Sequence, residues 1–172
     1  MYKVSIITAT FNSSKYIESA IESVNSQSYD FIEHIFIDGL SSDDTLEKIS
    51  TLSKRDPKVI SEKDSGIYDA LNKGLLIASG YIIGLLHSDD FFPSTKIISL
   101  IISKFIEDPT IDIIYGDLEY VSRMKTDKVV RTWKSEQFTT DKLMDGWMPP
   151  HPTLFIRKEI YKKWWQIYYS CT

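Results

Sequence analysis

The chain opens on Val4-Ser5-Ile6-Ile7-Thr8, an apolar run of strand length, and then changes period. Ile17, Ile21 and Val24 recur at i, i+4 and i+7 within 14–27, the spacing of one helix face, with Ser14 as the expected N-cap. The same switch then repeats. Ile35-Phe36-Ile37 reads as a strand, and a helix follows from near Asp43-Asp44, with Leu46, Ile49 and Leu52 on one face and an end before Pro57. Val59-Ile60 reads as a third strand and 66–78 as a third helix carrying Ile67, Leu71, Leu75 and Ala78. The stretch 81–86 is almost wholly apolar, the pattern of a strand buried on both faces.

Beyond it, 94–105 predicts a very apolar helix closed by Asp108-Pro109, and 111–115 another strand. Segments 118–121 and 128–133 predict an antiparallel pair, and 134–150 a loop broken at Met148-Pro149-Pro150. A last strand is expected at 153–156, followed by a helix from Lys158. Alternation of this kind predicts an α/β fold: a Rossmann-like three-layer sandwich with a mostly parallel central sheet, helices on both faces and a small antiparallel β element. Such sheets bind ligands beyond the carboxyl ends of their strands.

Composition narrows the class. At 172 residues the chain suits one domain, and 42% hydrophobic with 13% aromatic residues excludes a disordered chain. Twenty Lys and Arg against 24 Asp and Glu give a net charge of −4, and no basic run exceeds two residues, so no nucleic-acid partner is expected. The single cysteine, Cys171, allows no disulfide within the chain and suits a reducing, cytoplasmic setting. No targeting segment is read, and the longest apolar stretch is broken by Ser99 and Lys104. Dinucleotide-binding, P-loop, nucleophile-elbow and zinc-protease motifs are all missing.

The chemistry gathers at the predicted strand ends. They read Thr8-Ala9-Thr10-Phe11-Asn12, then Asp38-Gly39-Leu40-Ser41-Ser42, Glu62-Lys63-Asp64-Ser65-Gly66 and His87-Ser88-Asp89-Asp90. Carboxylates at three of four ends repel one another unless a cation or hydrogen-bond donors offset them. A hard divalent ion, Mg²⁺ or Mn²⁺, suits such oxygen ligands and keeps waters and substrate phosphates in its shell. The alternative is that Asp38, Asp43 and Asp64 cap helices and turns.

These four segments, together with Ser42-x-Asp44-Thr45 and the block Gly66-Ile67-Tyr68-Asp69-Ala70-Leu71-Asn72-Lys73-Gly74, resemble the family 2 glycosyltransferases of GT-A fold. The likeness covers 3–160 and is greatest to bacterial enzymes that build exopolysaccharide and O-antigen sugars. It implies one domain over 1–172, with a nucleotide-sugar half at 1–117 and a partial acceptor-side region at 118–172. It implies a nucleotide-diphosphate sugar donor, a saccharide or lipid-linked acceptor, and a role in cell-surface polysaccharide biosynthesis.

By that resemblance Thr8, Thr10, Phe11 and Asn12 lie at the nucleotide, with the Phe11 ring stacked on the base; the alternative makes Phe11 a core aromatic. Asp38 would accept hydrogen bonds from base or ribose and Asp64 from the base, since an ionised carboxylate only accepts. Ser88-Asp89-Asp90 resembles the family's D-x-D-type metal motif, with Asp89 the first metal ligand and Asp90 the second, although His87 stands where an acid often does. Gly66 is expected either for a close backbone approach or for a positive φ. Asn72 and Lys73 lie on a face with Asp69, where Lys73 either neutralises phosphate or pairs with Asp69. His151, in Pro149-Pro150-His151-Pro152-Thr153, is the acceptor-side candidate, and Asp117 lies near a strand end.

The family inverts the anomeric centre: an acceptor hydroxyl attacks as the diphosphate leaves, and a carboxylate takes the proton. The base is expected in an acidic motif after the histidine segment, yet no carboxylate follows Lys163. The expectation is therefore a truncated chain or fragment, without an assigned catalytic residue and inactive in this form, or else a non-catalytic nucleotide-sugar-binding module. Ile160, Trp164 and Ile167 form an aromatic-rich stripe that wants a partner, either more chain or the inner face of a membrane, where Trp and Tyr are favoured. A nucleotidyltransferase is a third, weaker reading.

Overall fold

The computed structural model describes residues 2–168. The aromatic tail read from the sequence falls partly beyond them: residues 169–172, Cys171 included, and the side chains from Trp164 onward lie outside the described residues.

The elements follow the predicted alternation. In chain order they are β1 (Val4–Thr10), α1 (Ile17–Asn25), β2 (Ile32–Asp38), α2 (Thr45–Leu52), β3 (Lys58–Ser61), α3 (Ile67–Ile77), β4 (Ile82–Leu85) and α4 (Ile97–Glu107). Then come β5 (Ile113–Ile114), β6 (Leu118–Ser122), β7 (Lys125–Trp133), α5 (Thr140–Met144), a 3₁₀ turn at His151–Thr153, β8 (Phe155–Arg157) and α6 (Lys158–Tyr168). Six strands form one sheet in the order β3-β2-β1-β4-β8-β5, and β6 and β7 form a separate antiparallel ribbon. β1 to β4 are mutually parallel, whereas β8 runs antiparallel to both β4 and β5.

Alternation along the strands builds two cores. Val4 and Ile6 of β1 and Phe36 of β2 pack with Ile17, Ile21 and Val24 of α1, Ile49 of α2 and Ile98, Ile102 and Phe105 of α4. Ile7, Ile35, Ile37 and Ile83 face the other way, against Ala70 and Leu71 of α3 and Tyr161 of α6. Period-two strands thus feed both faces of a three-layer sandwich. Each fully buried isoleucine contributes about 1.5–3 kcal/mol of burial.

Three details depart from expectation. Ser14 does not cap α1: the helix begins after Tyr16, and the Ser14 N–H is instead taken by Asp43 Oδ2 at 3.0 Å. The segment 134–150 is not all loop, because Thr139 caps the short helix α5 by accepting from Lys142 N at 3.3 Å. β8 comes last in sequence but sits inside the sheet. It fits because Gly84 has no side chain: a Cβ there would stand 2.5 Å from Phe155 Cε1.

A single carboxylate gathers the strand starts. Glu33 of β2 is wholly buried and accepts from Ser5 Oγ of β1 at 2.5 Å, and from Ser79 N and Gly80 N ahead of β4 at 2.6 and 3.2 Å. Lys3 and Lys58 pair with it at 2.9 and 2.8 Å. Burial alone pushes its pKa up, but Lys58, Ser5, Lys3 and Ser79 more than offset this and hold the carboxyl well below the usual range. With the strand starts clamped, the opposite edge is free to carry loops.

Candidate functional site

β1 and β2 end side by side, Thr10 opposite Asp38, and both exits turn through left-handed residues, Asn12 at φ 47° and Leu40 at φ 64°. The two loops are stitched together. Asn12 N donates to Ser41 Oγ at 2.8 Å, and Asn12 Oδ1 accepts from Ser42 N at 2.9 Å. Ser13 N donates to Thr45 Oγ1 at 2.8 Å, while Thr45 and Ser14 hold the Asp43 carboxyl well below its usual range. The Ser13 hydroxyl reaches Ser88 Oγ at 3.0 Å and so ties the β4 exit to the β1 exit.

Asp38 is the hub of this stitching rather than an exposed acceptor. Its side chain is buried and takes hydrogen bonds from Thr10 Oγ1 at 3.1 Å, Ser41 N at 2.9 Å, Ser61 Oγ at 2.7 Å and the Ser41 hydroxyl. Burial raises its pKa, and these donors more than reverse that. Both oxygens are spent inside the fold. Thr8 is likewise wholly buried, bonded to His34 Nε2 at 2.9 Å, and Thr10 is committed to Asp38. Of the residues expected around a base, Phe11 and Asn12 are the exposed ones on the first loop, with the Phe11 ring 64% exposed and so no core aromatic.

Phe11 and Asp64 come together across Gly39. A Cβ added at Gly39 would lie 2.7 Å from Asp64 Oδ2 and 3.4 Å from Phe11 Cδ2, so ring and carboxylate flank bare backbone at the β2 exit. Asp64 is itself positioned from below, accepting Gly66 N at 2.9 Å on Oδ1. This leaves Oδ2 pointing at the Gly39 side. Sequence reasoning missed Gly39, although a glycine directly after a strand-end carboxylate was a usable signal.

Gly66 has φ +117° with nothing within 4 Å of an added Cβ, so conformation and not crowding demands glycine there. Asp69 Oδ2 accepts from Ser65 N at 2.9 Å and holds the turn into α3. Lys73 pairs with Glu62 at 2.9 Å, approaches Asp69 at 3.6 Å and donates to Lys63 O at 2.8 Å. Lys73 is thus paired chiefly with Glu62 rather than with the Asp69 expected from the sequence, and Glu62 raises its pKa most. Asn72 is exposed on the same helix.

At the β4 exit Asp90 N closes a turn on His87 O at 3.1 Å, leaving Asp89 exposed and Asp90 half-buried. Burial raises the Asp90 pKa; His87 and His151 pull it down and Asp89 pushes it up. His151, on the 3₁₀ turn, brings its Nε2 to 3.3 Å from His87 Nε2, one ring donating and the other accepting. The segment 149–153 thus meets His87, the residue before Ser88-Asp89-Asp90, in space. Asp117 accepts from Ser135 N and Oγ, both at 2.8 Å, and is a loop tie. Among the described residues no three His, Cys, Asp or Glu side chains converge as a closed metal cage. Asp89 and Asp90 supply hard oxygen donors, the ligand type that Mg²⁺ and Mn²⁺ take together with phosphate and water.

Residues 5–165 match the family model described as Glycosyl transferase family 2. The chain belongs to this family. It is 40% identical over 100 residues to the Escherichia coli UDP-Glc:alpha-D-GlcNAc-diphosphoundecaprenol beta-1,3-glucosyltransferase WfaP, covering 56% of this chain and 39% of WfaP. Its fold is that of Staphylococcus aureus TarS 1-349, solved in complex with UDP-GlcNAc: TM-score 0.73, 21% identity, 94% of this chain and 47% of that one. The Pyrobaculum calidifontis mannosyltransferase PcManGT, solved with GDP-Man and Mn²⁺, matches with TM-score 0.61 and 23% identity over 69% of this chain and 36% of its own. These are GT-A structures, and the family 2 chain shares their architecture. It spans well under half the length of WfaP and, at 37%, of two Mycobacterium tuberculosis glycosyltransferases. Among the described residues no helix is long and apolar enough to cross a membrane.

Proposed function

We propose that this chain forms the donor-binding core of an inverting glycosyltransferase that moves a sugar from a nucleotide-diphosphate sugar to a saccharide or lipid-linked acceptor in cell-surface polysaccharide biosynthesis. The observation that carries this reading is the Phe11–Gly39–Asp64 arrangement. A flat, exposed ring and a carboxylate oxygen flank side-chain-free backbone at the strand ends. That combination offers stacking to a base and an acceptor to its N–H groups. Asn12 and Gly66 shape the backbone on either side, with Asn72, Lys73 and Ser88 at the margins.

Asp89 and Asp90 would hold the divalent ion, which when bound supplies positive charge against the departing diphosphate. The mannosyltransferase solved with GDP-Man and Mn²⁺ supports use of a divalent ion. Residues 1–117 then form the nucleotide-sugar half and 118–168 the described part of the acceptor side, entered at His151. WfaP, whose name gives it a diphosphoundecaprenol-linked acceptor, supports an acceptor held at a membrane surface.

A specific observation favours a second reading, donor binding without transfer. Among the described residues after His151 the only carboxylate is Glu159 of α6, which lines a hollow with Ser79, Gly80 and Tyr81 ahead of β4, whereas Asp89 follows the other end of that strand. Calorimetry with UDP and GDP, with and without Mn²⁺, beside a donor-turnover assay, tests both. Metal-dependent binding with turnover supports the transferase, and binding without turnover the second reading. Absence of nucleotide binding refutes both.

A further inference from the structure

The ribbon β6–β7 is tied at both ends to the edge of the sheet that carries the site. β5 runs antiparallel to β8, and β8 antiparallel to β4, so β5 ends on the same edge as β4. The ribbon starts there. Gly116 N donates to Thr153 Oγ1 at 3.2 Å, in the 3₁₀ turn that holds His151, and Asp117 accepts from Ser135 N at 2.8 Å where β7 returns. At the far end Arg123, in the ribbon's turn, donates to Tyr16 OH at 3.2 Å and lies over its ring at 5.1 Å. Tyr16 closes the loop that leaves β1, so this anchor too belongs to the site edge. A two-stranded ribbon has little stability of its own, and these ties hold it. Every residue of β7 is nonetheless exposed.

Its charge runs against that of the chain. Between positions 118 and 134, Arg123, Lys125, Lys128, Arg131 and Lys134 stand against Glu119 and Asp127, a net of +3 in a chain of −4, so the rest of the chain carries −7. The ribbon is a basic strip on an acidic body, and all five cations are exposed. Lys125 meets Asp127 only at 4.0 Å, and Arg131 lies over the Tyr120 ring at 5.6 Å. Apolar side chains are interleaved with them. Met124, at the turn, is 96% exposed and Val130 67%, and Tyr120, Val129 and Trp133 are exposed as well. The cations call for a polyanion, whereas the aliphatic tips gain only by leaving water. A soluble polyanion meets the first demand alone. A bilayer with anionic headgroups meets both, with cations on phosphates and Met, Tyr and Trp in the interfacial layer. A second copy on the β7 edge is disfavoured, because register shifts around Val121 make the ribbon irregular and its cations repel their own copies. The basic residues that open α6 are otherwise engaged: Arg157 donates to Ile111 O and Pro109 O at 2.7 and 3.2 Å, and Lys158 to Ala78 O.

We propose that the β6–β7 ribbon docks the protein on an anionic lipid surface, with its cations on headgroup phosphates, Met124 and Val130 in the interfacial layer and the site edge turned toward the bilayer. The inference rests on the reading above of an acceptor held at a membrane surface and adds the element that makes the contact.

The test is co-sedimentation of the full chain with vesicles of phosphatidylcholine, alone or mixed three to one with phosphatidylglycerol. Wild type should bind the anionic vesicles at least ~10-fold more strongly than the neutral ones, and lose that preference in ~1 M salt, where the Debye length falls to about 3 Å. Reversing two ribbon charges together, Lys125→Glu with Lys128→Glu, should cut binding to anionic vesicles more than ~10-fold, and Met124→Ser should cut it severalfold. The matching pair on α6, Lys162→Glu with Lys163→Glu, should cost less than the ribbon pair. UDP affinity should stay within about twofold in every variant, which shows that each is folded and that the surface is distinct from the nucleotide site. Equal binding to both kinds of vesicle, no vesicle binding, binding indifferent to the ribbon pair or to Met124→Ser, a larger loss from the α6 pair, or capture by dextran sulfate without capture by vesicles would each overturn the ribbon contact and leave the donor reading intact. Failure of UDP to bind wild type would instead strike the donor reading.

Discussion

Gly39→Ala separates the site from the fold. The backbone at Gly39 is outside the left-handed region, so alanine is conformationally allowed there. Space is the obstacle: the new methyl would stand 2.7 Å from Asp64 Oδ2 and 3.4 Å from Phe11 Cδ2. The Phe11 contact is ordinary, and the Asp64 contact is not. A carboxylate is the free end of a side chain, so it can swing away, and the cost to stability should stay below about 1 kcal/mol, or ~2–4 °C in Tm for a chain of this size. Once displaced, however, Asp64 no longer presents its oxygen beside the Phe11 ring. A hydrogen bond to a charged group is worth about 1.5–3 kcal/mol, so UDP or GDP should bind ~10–150-fold more weakly. Calorimetry for Kd and a thermal melt for Tm, on the same preparations, read the two effects separately. Gly66→Ala is the contrasting control. No atom lies near its Cβ, but φ +117° strains any other residue by about 1–3 kcal/mol, so its Tm should fall by several degrees. Wild-type nucleotide affinity in a folded Gly39→Ala protein would refute the placement of the base between Phe11 and Asp64.

Phe11→Ala should weaken nucleotide binding by about 5–150-fold, the worth of one base–aromatic stack, with little change in Tm because the ring is exposed. Asp89→Ala should abolish the Mn²⁺ dependence of UDP affinity measured by calorimetry; unchanged metal dependence would move the metal site elsewhere. Glu33→Ala strips the partner from Lys3 and Lys58 and leaves buried donors at Ser5, Ser79 and Gly80 unpaired, at about 3–5 kcal/mol by urea denaturation. Acid should act in two windows. His34 is buried with its pKa lowered to about 3, so between its ordinary 6.5 and that value the unfolded chain binds the extra proton and stability falls with pH, by up to ~1.4 kcal/mol per unit. Glu33, depressed in the fold, gives stability that is complete above its unfolded pKa and fades only as pH drops below that toward its folded value. In urea titrations His34→Phe should flatten the first window and leave the second; loss of both together would contradict the assignment.

The period of the chain revealed the elements because burial imposes it: Ile17, Ile21 and Val24 share a face that must meet β1, and Ile82-Ile83 is apolar because both its neighbours cover it. Insertion of β8 between β4 and β5 was not legible, since pairing partners depend on distant residues such as Gly84 and Phe155, whose complementarity exists only in space. At the site the residue types were legible and their orientations were not. Asp38 and Asp64 look alike as strand-end carboxylates, yet Asp38 is surrounded by Thr10, Ser41 and Ser61 and turns inward. Asp64 keeps one oxygen toward Gly39. The meeting of His87 with His151 spans 64 positions and left no local trace.

The late arrival of β8 has a kinetic consequence. β1 to β4 and their helices can assemble from neighbouring segments, but Ile82 and Ile83 keep an open, apolar strand edge until Phe155–Arg157 leaves the ribosome. Contacts of such long sequence separation are slow to form, and an unpaired edge is a template for other chains in the meantime. Synthesis of this protein therefore passes through an interval in which a nearly finished sheet is adhesive, closed when the ring of Phe155 takes the space that Gly84 leaves for it.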